Sequence, residues 1–388
     1  MAKKKEYILV TGGAGYIGSH AVKVLLEHGH DVVVLDNLST GHAHAVDKRA
    51  ELVIGDVTNW GVLVRLFKKY NIVGCMHFAG KIVVPESVSN PLAYFTANIE
   101  AVNSLLRAMK LFNVKNIVFS STAAVYGTSD LEVITEDAPL HPESPYGFSK
   151  LTAENLIRYS ERAYGIKHII FRYFNVAGAY DTYEIGEAHP VETHIIPVTV
   201  NHAISGEQMQ IFGNDYNTFD GTCVRDYIHV VDLAEAHALG IEHLLAGGES
   251  NTINLGSTNG FSNKQIVETV SKVTGKPVNY TYGPRRAGDP AKIVASNARA
   301  KEILHWEPKR DLAKMIESDF NWRQSHPHLY EDQEQLKISA SDLEKVVKIK
   351  HTKKTDGMLE PLELKDKEHF AKLVKENKVG PFNKVISD

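Results

Sequence analysis

The stretch TGGAGYIGSH, residues 11–20, constrains the chain more than any other. It follows a short apolar run, YILV at 7–10, and leads into a segment with helical spacing from 17 to 28. Gly12, Gly15 and Gly18 form G-x-x-G-x-x-G, with Tyr16 and Ile17 between the last two. Glycines so placed allow a tight turn, close approach of backbone to a pyrophosphate, and close packing of helix on strand. The helix then turns its free N–H groups and the positive end of its dipole toward the phosphates.

The context agrees with that reading. Short apolar runs at 7–10, 31–36, 51–56, 72–79, 116–121 and 168–175 read as buried parallel strands. Helix-like segments at 17–28, 59–70, 91–112 and 146–164 lie between them. The alternation predicts an α/β fold with a Rossmann-type doubly wound parallel sheet. Asp36 ends the second run, where a carboxylate can accept hydrogen bonds from an adenosine ribose. The residues after it, Asn37-Leu38-Ser39-Thr40, contain no cation to receive a 2′-phosphate, so the cradle reads as one for NAD and not NADP. Asp56-Val57 closes the third run and is placed to hold adenine. Phe78-Ala79-Gly80 closes the fourth, with small residues where a cofactor lies against backbone.

Residues 1–176 are therefore expected to form the NAD-binding domain. From 177 to 330 the pattern is less regular, with loops such as IFGNDYNTFDGT, and predicts a smaller substrate lobe with some chain returning to the sheet. Residues 331–388 form a highly charged extension of unassigned role. The net charge of −4 offers nothing to grip nucleic acid or an anionic membrane. No apolar stretch approaches the roughly 20 residues that span a bilayer. The basic start, MAKKKEYILV, shows no leader cleavage site, and two distant cysteines, Cys75 and Cys223, suit a reducing cytoplasm.

Reactive groups come next. The fifth run ends Ser120-Ser121-Thr122, and SPYGFSK at 144–150 opens the following helix. Thr122, Tyr146 and Lys150 can then converge near the nicotinamide end of the cleft. A phenol titrates near pH 10, so a tyrosine base working near neutrality needs its anion stabilised by about 4 kcal/mol. A lysine one turn along and an oxidised nicotinamide ring are the two cations that can supply this.

Together these motifs resemble the extended short-chain dehydrogenase/reductase family. HFAG at 77–80, FSSTAAVYG at 119–127, RYFNVAGA at 172–179, IFGNDY at 211–216, DGTCVRDYIHVVDLAEAH at 220–237 and RRAGD at 285–289 narrow the resemblance to its UDP-hexose 4-epimerase branch, over roughly residues 6–330. The resemblance implies a tightly held NAD⁺ that takes a hydride from C4 of a UDP-sugar and returns it to the other face. It implies Tyr146 as the base, Lys150 as the group that lowers the pKa of that base and holds the nicotinamide ribose, and Thr122 as a hydrogen-bond partner of the 4-oxygen. Ser120, Tyr173 and Phe174 carry over to the cofactor site. Asn175, Ile211, Phe212, Arg225, Arg286 and Asp289 carry over to the UDP site, where fixed guanidinium forks suit diphosphate oxygens. A homodimer is implied through the helices at 91–112 and 146–164.

The departures leave the sugar range open. Lys81 is displaced by one position from the lysine that some relatives place at the nicotinamide, and Ile82 takes its place. Ala97 precedes Asn98 where some relatives carry two asparagines. Ile293 falls where strict hexose epimerases carry a bulky tyrosine, so N-acetylhexosamine, pentose and uronic sugars remain alternatives. His194 stands where an asparagine often contacts the uracil side. Histidines 189, 194 and 202 share no helical face and read as lacking carboxylate partners, so no metal is expected. A 4,6-dehydratase is disfavoured because Ala123-Ala124 follows Thr122 where that chemistry uses an Asp-Glu pair. A non-catalytic dinucleotide-sensing scaffold is disfavoured by the retained Tyr/Lys pair.

Overall fold

The computed structural model describes residues 5–129, 131–189, 192–285 and 290–330. Residues 1–330 form one compact unit. Its centre is a seven-stranded parallel sheet. Six strands come from the expected runs: β1 (Tyr7–Thr11), β2 (Asp31–Asp36), β3 (Glu51–Ile54), β4 (Ile72–His77), β5 (Asn116–Ser120) and β6 (Lys167–Tyr173). Their spatial order is β3-β2-β1-β4-β5-β6, so the winding reverses between β1 and β4. Such a reversal opens a crevice at the carboxyl ends of the two strands, where ligands bind in folds of this kind.

The strands form because apolar side chains are buried on both faces. Helices α1 (Tyr16–Glu27), α2 (Trp60–Lys69), α3 (Val84–Ser89), α4 (Pro91–Phe95), α5 (Ala101–Leu111) and α6 (Pro145–Tyr164) cover the sheet or its rim. Leu63, Leu66, Val102, Leu105 and Ile157 from α2, α5 and α6 pack with Leu9, Val33 and Ile117 on one face. Val22 and Leu25 of α1 join Ile8, Val32 and Val34 on the other. The expected helix at 91–112 is divided. A π-turn at Thr96–Glu100 separates α4 from α5 and turns Asn98 inward to 2% exposure. Such one-turn π insertions often mark functional positions.

After residue 176 the chain serves two structures. One part builds the lobe: β7 (Asn175–Ala177), α7 (Ile195–Ser205), β8 (Met209–Phe212), β9 (Val224–Arg225) and β10 (Tyr227–His229). The other returns to the sheet. Helix α8 (Val230–Leu245) lies beside α1, where Glu242 accepts from His30 at 2.9 Å, and β11 (Asn251–Leu255) pairs with β6 as the seventh strand. The lobe is completed by β12 (Phe261–Ser262), α9 (Asn263–Thr274), β13 (Tyr280–Gly283), β14 (Lys292–Ile293), α10 (Ala298–Leu304) and α11 (Leu312–Ser325). Val200, Ile211, Ile266, Val270, Met315 and Ile316 make its core.

Candidate active site

The glycine turn is dictated by packing at two of its three glycines. Gly12 has φ +74°, and a Cβ there would stand 2.5 Å from Ala79 N. A Cβ on Gly18 would stand 2.1 Å from the Gly12 carbonyl oxygen. Gly15 differs, because its Cβ would meet only the Gly12 oxygen at 3.4 Å. The protein's own packing does not require glycine there. The missing side chain leaves room over the first turn of α1, as close approach of a pyrophosphate demands. Gly15 is the N-cap of α1, and among the described residues no side chain caps the first N–H groups of that helix.

Asp36 is tied to this turn. Its Oδ2 accepts from Ala14 N at 2.9 Å and its Oδ1 from Leu38 N at 2.8 Å. Each oxygen keeps a lone pair for a ribose hydroxyl. Burial pushes its carboxyl above the usual value, and the two backbone N–H groups oppose that. Asp56 is held at 2.8 Å by the Asn37 amide and at 2.6 Å by the Thr58 hydroxyl, beside Asp36. The Val57 side chain is buried in the core, so only its backbone faces a ligand. Phe78 N and Ala79 N both donate to Thr11 O, closing the floor of the crevice. These residues fit an NAD molecule whose second ribose carries no phosphate.

At the other end of the crevice, α6 begins sharply. Ser144 caps it by accepting from Gly147 N at 3.1 Å, and Pro145 occupies the first turn, where its missing N–H costs nothing. Tyr146 and Lys150 are one turn apart, 8% and 3% exposed. The Lys150 ammonium donates to Ser120 O at 3.0 Å. Ser120 Oγ meets the Tyr173 hydroxyl, and Thr122 follows two residues later. The Thr122 Oγ1 accepts from Ala124 N at 3.1 Å, so its proton is left to donate.

The electrostatics refine the expectation. Burial pushes the Tyr146 phenol upward, and the hydrogen bond from Thr122 pulls it back in part. Lys150 is not among the groups that shift it. Burial pushes the Lys150 ammonium itself down to about 8, with Glu154 opposing, so its charge is present below that pH and lost above it. Burial thus favours the protonated phenol in the protein alone, and an oxidised nicotinamide held beside it would add positive charge that opposes this.

Three supports have roles that the sequence did not indicate. A Cβ on Gly147 would stand 2.6 Å from Ala124 O, so this glycine lets α6 approach the Thr122–Ala124 turn. Gly147→Ala gains helix propensity of about 1 kcal/mol but forces the two segments apart. We expect kcat to fall roughly 100-fold, the cost of about 1 Å of misplacement, with little change in Tm. Steady-state kinetics beside thermal melts check this. Glu154, fully buried, accepts from Ser121 Oγ at 2.6 Å and from Arg172 Nε at 3.0 Å and Nη2 at 2.7 Å. It ties α6 to β6 and to Ser121, the residue before Thr122. Asn98 accepts from Lys81 N at 2.8 Å and donates to Ser149 Oγ at 2.9 Å, and its Oδ1 would stand 2.6 Å from a Cβ on Gly80.

The substrate-side residues are placed less uniformly. Asn175 donates to Asp226 O at 2.9 Å. Arg225 lies on β9, its Nη1 donating to Val224 O at 2.8 Å, and pairs in register with Ile293. Phe174 and Ile293 pack on the cluster of Val125, Tyr126, Ile134 and Ala138, as does Ala123 next to Thr122. The Ile211 side chain is 1% exposed within the lobe core, which leaves only its backbone to a ligand, while Phe212 ends the same strand partly buried. Arg286 and Asp289 lie outside the described residues. Lys81 turns to Glu86 at 2.8 Å, and Ile82 is 46% exposed. The premise that His189 and His194 lack carboxylate partners fails: Glu187 and Glu192 lie against both. Burial opposes their protonation, but the two carboxylates hold His189 up at about 9 and His194 up at about 10. His202 lies apart, bonded to Glu207 O at 3.1 Å.

The cradle, the acid at the ribose position and the Thr–Tyr–Lys group define a dinucleotide-dependent enzyme site of the short-chain type. The chain belongs to the NAD dependent epimerase/dehydratase family, whose model matches residues 8–256. It is 50% identical over 327 residues to the UDP-glucose 4-epimerase of Lacticaseibacillus casei, an alignment covering 84% of this chain and 99% of that one. Among solved structures, a UDP-glucose 4-epimerase superposes with TM-score 0.83 at 47% identity, covering 84% of this chain and all of the other. The UDP-glucose 4-epimerase of Brucella ovis in complex with NAD superposes with TM-score 0.80 at 41% identity, covering 84% and 98%.

Proposed function

We propose that this chain is an NAD-dependent isomerase that interconverts UDP-galactose and UDP-glucose at C4. The observation that carries the proposal is the meeting of Thr122, Tyr146 and buried Lys150 at the end of a crevice whose other end is a phosphate cradle and Asp36. A bound NAD⁺ supplies the means to oxidise C4 and to restore it from either face. The chain's own groups do the rest. Tyr146 removes the proton of the 4-hydroxyl and later returns it. Thr122 hydrogen-bonds the same oxygen. Lys150, fixed on Ser120 O, holds the nicotinamide ribose. Ala123-Ala124 offers no group to move protons at C5 or C6, which favours epimerisation over dehydration.

On this reading Asn175, next to the 177–330 lobe, and Phe212 and Arg225 within it bind the UDP moiety, together with Arg286 and Asp289. The enzyme works in the cytoplasm, as its two free, buried cysteines suit. Among the described residues no helix is long and apolar enough to cross a membrane. Exposed apolar side chains on α3, α4 and α6, including Val88, Leu92, Phe148 and Tyr159, support a homodimer through this face. The test is direct: purified protein converts UDP-galactose to UDP-glucose with no NAD added. Absence of conversion even after NAD⁺ is supplied would refute the assignment.

Ile293 supports a wider sugar range, since it packs on the same cluster as Ala123 and has less bulk than a tyrosine. We expect wild type to turn over UDP-N-acetylglucosamine. Ile293→Tyr should lower that kcat/KM by roughly 10–100-fold while UDP-galactose turnover persists, the size of effect that side-chain volume produces in a pocket. Equal loss on both sugars would remove Ile293 from the sugar pocket.

A further inference from the structure

Four side chains on the segment entering α7 meet beside Tyr16, whose ring lies 6.5 Å from that of His189. Nδ1 of His189 lies 3.0 Å from Glu187 Oε1 and 3.8 Å from Glu192 Oε2. Nδ1 of His194 lies 2.8 Å from Glu187 Oε1 and 3.3 Å from Glu192 Oε1. One ligand atom from each of the four residues falls within 4.8 Å of all the others. In a tetrahedral zinc site with bonds of about 2.0–2.1 Å, neighbouring ligand atoms stand about 3.3 Å apart. Both imidazole nitrogens stand a little inside that edge from one Glu187 oxygen, at 3.0 and 2.8 Å, and near or beyond it from separate Glu192 oxygens, at 3.8 and 3.3 Å.

One further observation points to a cation. Glu187 is 1% exposed, and its Oε2 is buried with no hydrogen-bond partner among the described residues. Buried carboxylate oxygens are rarely left so.

We propose that Glu187, His189, Glu192 and His194 form a closed, four-ligand structural site for a divalent transition-metal ion of the Zn²⁺ class. Two imidazoles select such ions over Mg²⁺ or Ca²⁺, and four protein ligands leave no open position for catalysis. The ion ties the segment entering α7 to Arg323 of α11, whose Nη2 donates to Glu187 O at 3.2 Å.

The test uses the full chain, stripped with dipicolinate and titrated with Co²⁺. One equivalent is expected to bind with the visible absorption of a tetrahedral ion and to be displaced by one equivalent of Zn²⁺. Zn²⁺ at 100 times its Kd should raise the folded-to-unfolded ratio about 100-fold, read as a rise in Tm. His189→Ala/His194→Ala should lose the absorption. If that double variant does not fold, Glu192→Gln keeps the size of the side chain. It should weaken Co²⁺ binding by more than the roughly 10–100-fold that loss of an outer partner costs. Folded wild type without a tetrahedral cobalt spectrum, or either folded variant with an unchanged one, would overturn the proposal and leave the cluster held by protons.

Discussion

Tyr146→Phe is expected to lower kcat by roughly 10²–10⁴-fold, the range that a positioned acid–base group contributes. The substitution removes one oxygen from a side chain that is 8% exposed, and the ring keeps its edge-on contact with Tyr94 at 6.4 Å. Fold and cofactor retention should therefore survive. The argument for a large effect is electrostatic. The buried phenol is held above its ordinary value in the protein alone, with Thr122 the group that opposes burial. KM for UDP-galactose should change little, since one hydrogen bond to the sugar is lost while the lobe contacts remain. A fall in KM-dependent binding with kcat unchanged would assign Tyr146 to substrate holding alone.

The second large effect is on stability. Glu154→Gln should destabilise the protein by roughly 3–5 kcal/mol, the cost of leaving one member of a buried ion pair without its partner. Burial by itself would raise the Glu154 carboxyl, but Arg172, Arg158 and the Ser121 hydroxyl together hold it below the usual range, so it is ionised and fully paired. The glutamine keeps the shape and loses the charge. Arg172, 2% exposed, is then left with the Tyr126 hydroxyl at 3.1 Å and Glu136 O at 3.3 Å. Thermal melts should show Tm lower by roughly 5–10 °C. Replacing both partners with apolar residues, Glu154→Leu with Arg172→Met, should recover much of the loss, because no charge is then buried alone. A double variant no better than Glu154→Gln would place the cost in packing instead.

How far the sequence carried the account depended on the range of each signal. Strand and helix alternation is local, and β1 to β6 lie within a few residues of the apolar runs that announced them. The turn at Gly12–Gly18 and the Tyr146/Lys150 pair are local as well, since each acts within one element or one turn. What was hidden depends on contacts across the chain. Glu154 finds Arg172 because α6 and β6 pack side by side, and neither residue carries a motif. Gly147 reads as an indifferent helix residue until Ala124 O is found above it. The π-turn at Thr96–Glu100 breaks an otherwise good helical period without a proline or glycine to mark it. The return of α8 and β11 to the sheet comes after a lobe of irregular text. His189 and His194 stand close in sequence, but that Glu187 and Glu192 both lie against them depends on how the chain folds before α7.

The central claim is that C4 of the sugar is oxidised and then restored with the same hydrogen. UDP-galactose carrying deuterium at C4, turned over in ordinary water, tests it most directly. The account predicts UDP-glucose that retains the deuterium at C4, because the hydrogen leaves and returns within the crevice without meeting solvent. Product in which C4 carries hydrogen from water would contradict it, since that outcome requires proton exchange at carbon, which neither Tyr146 nor the cofactor cradle is arranged to perform.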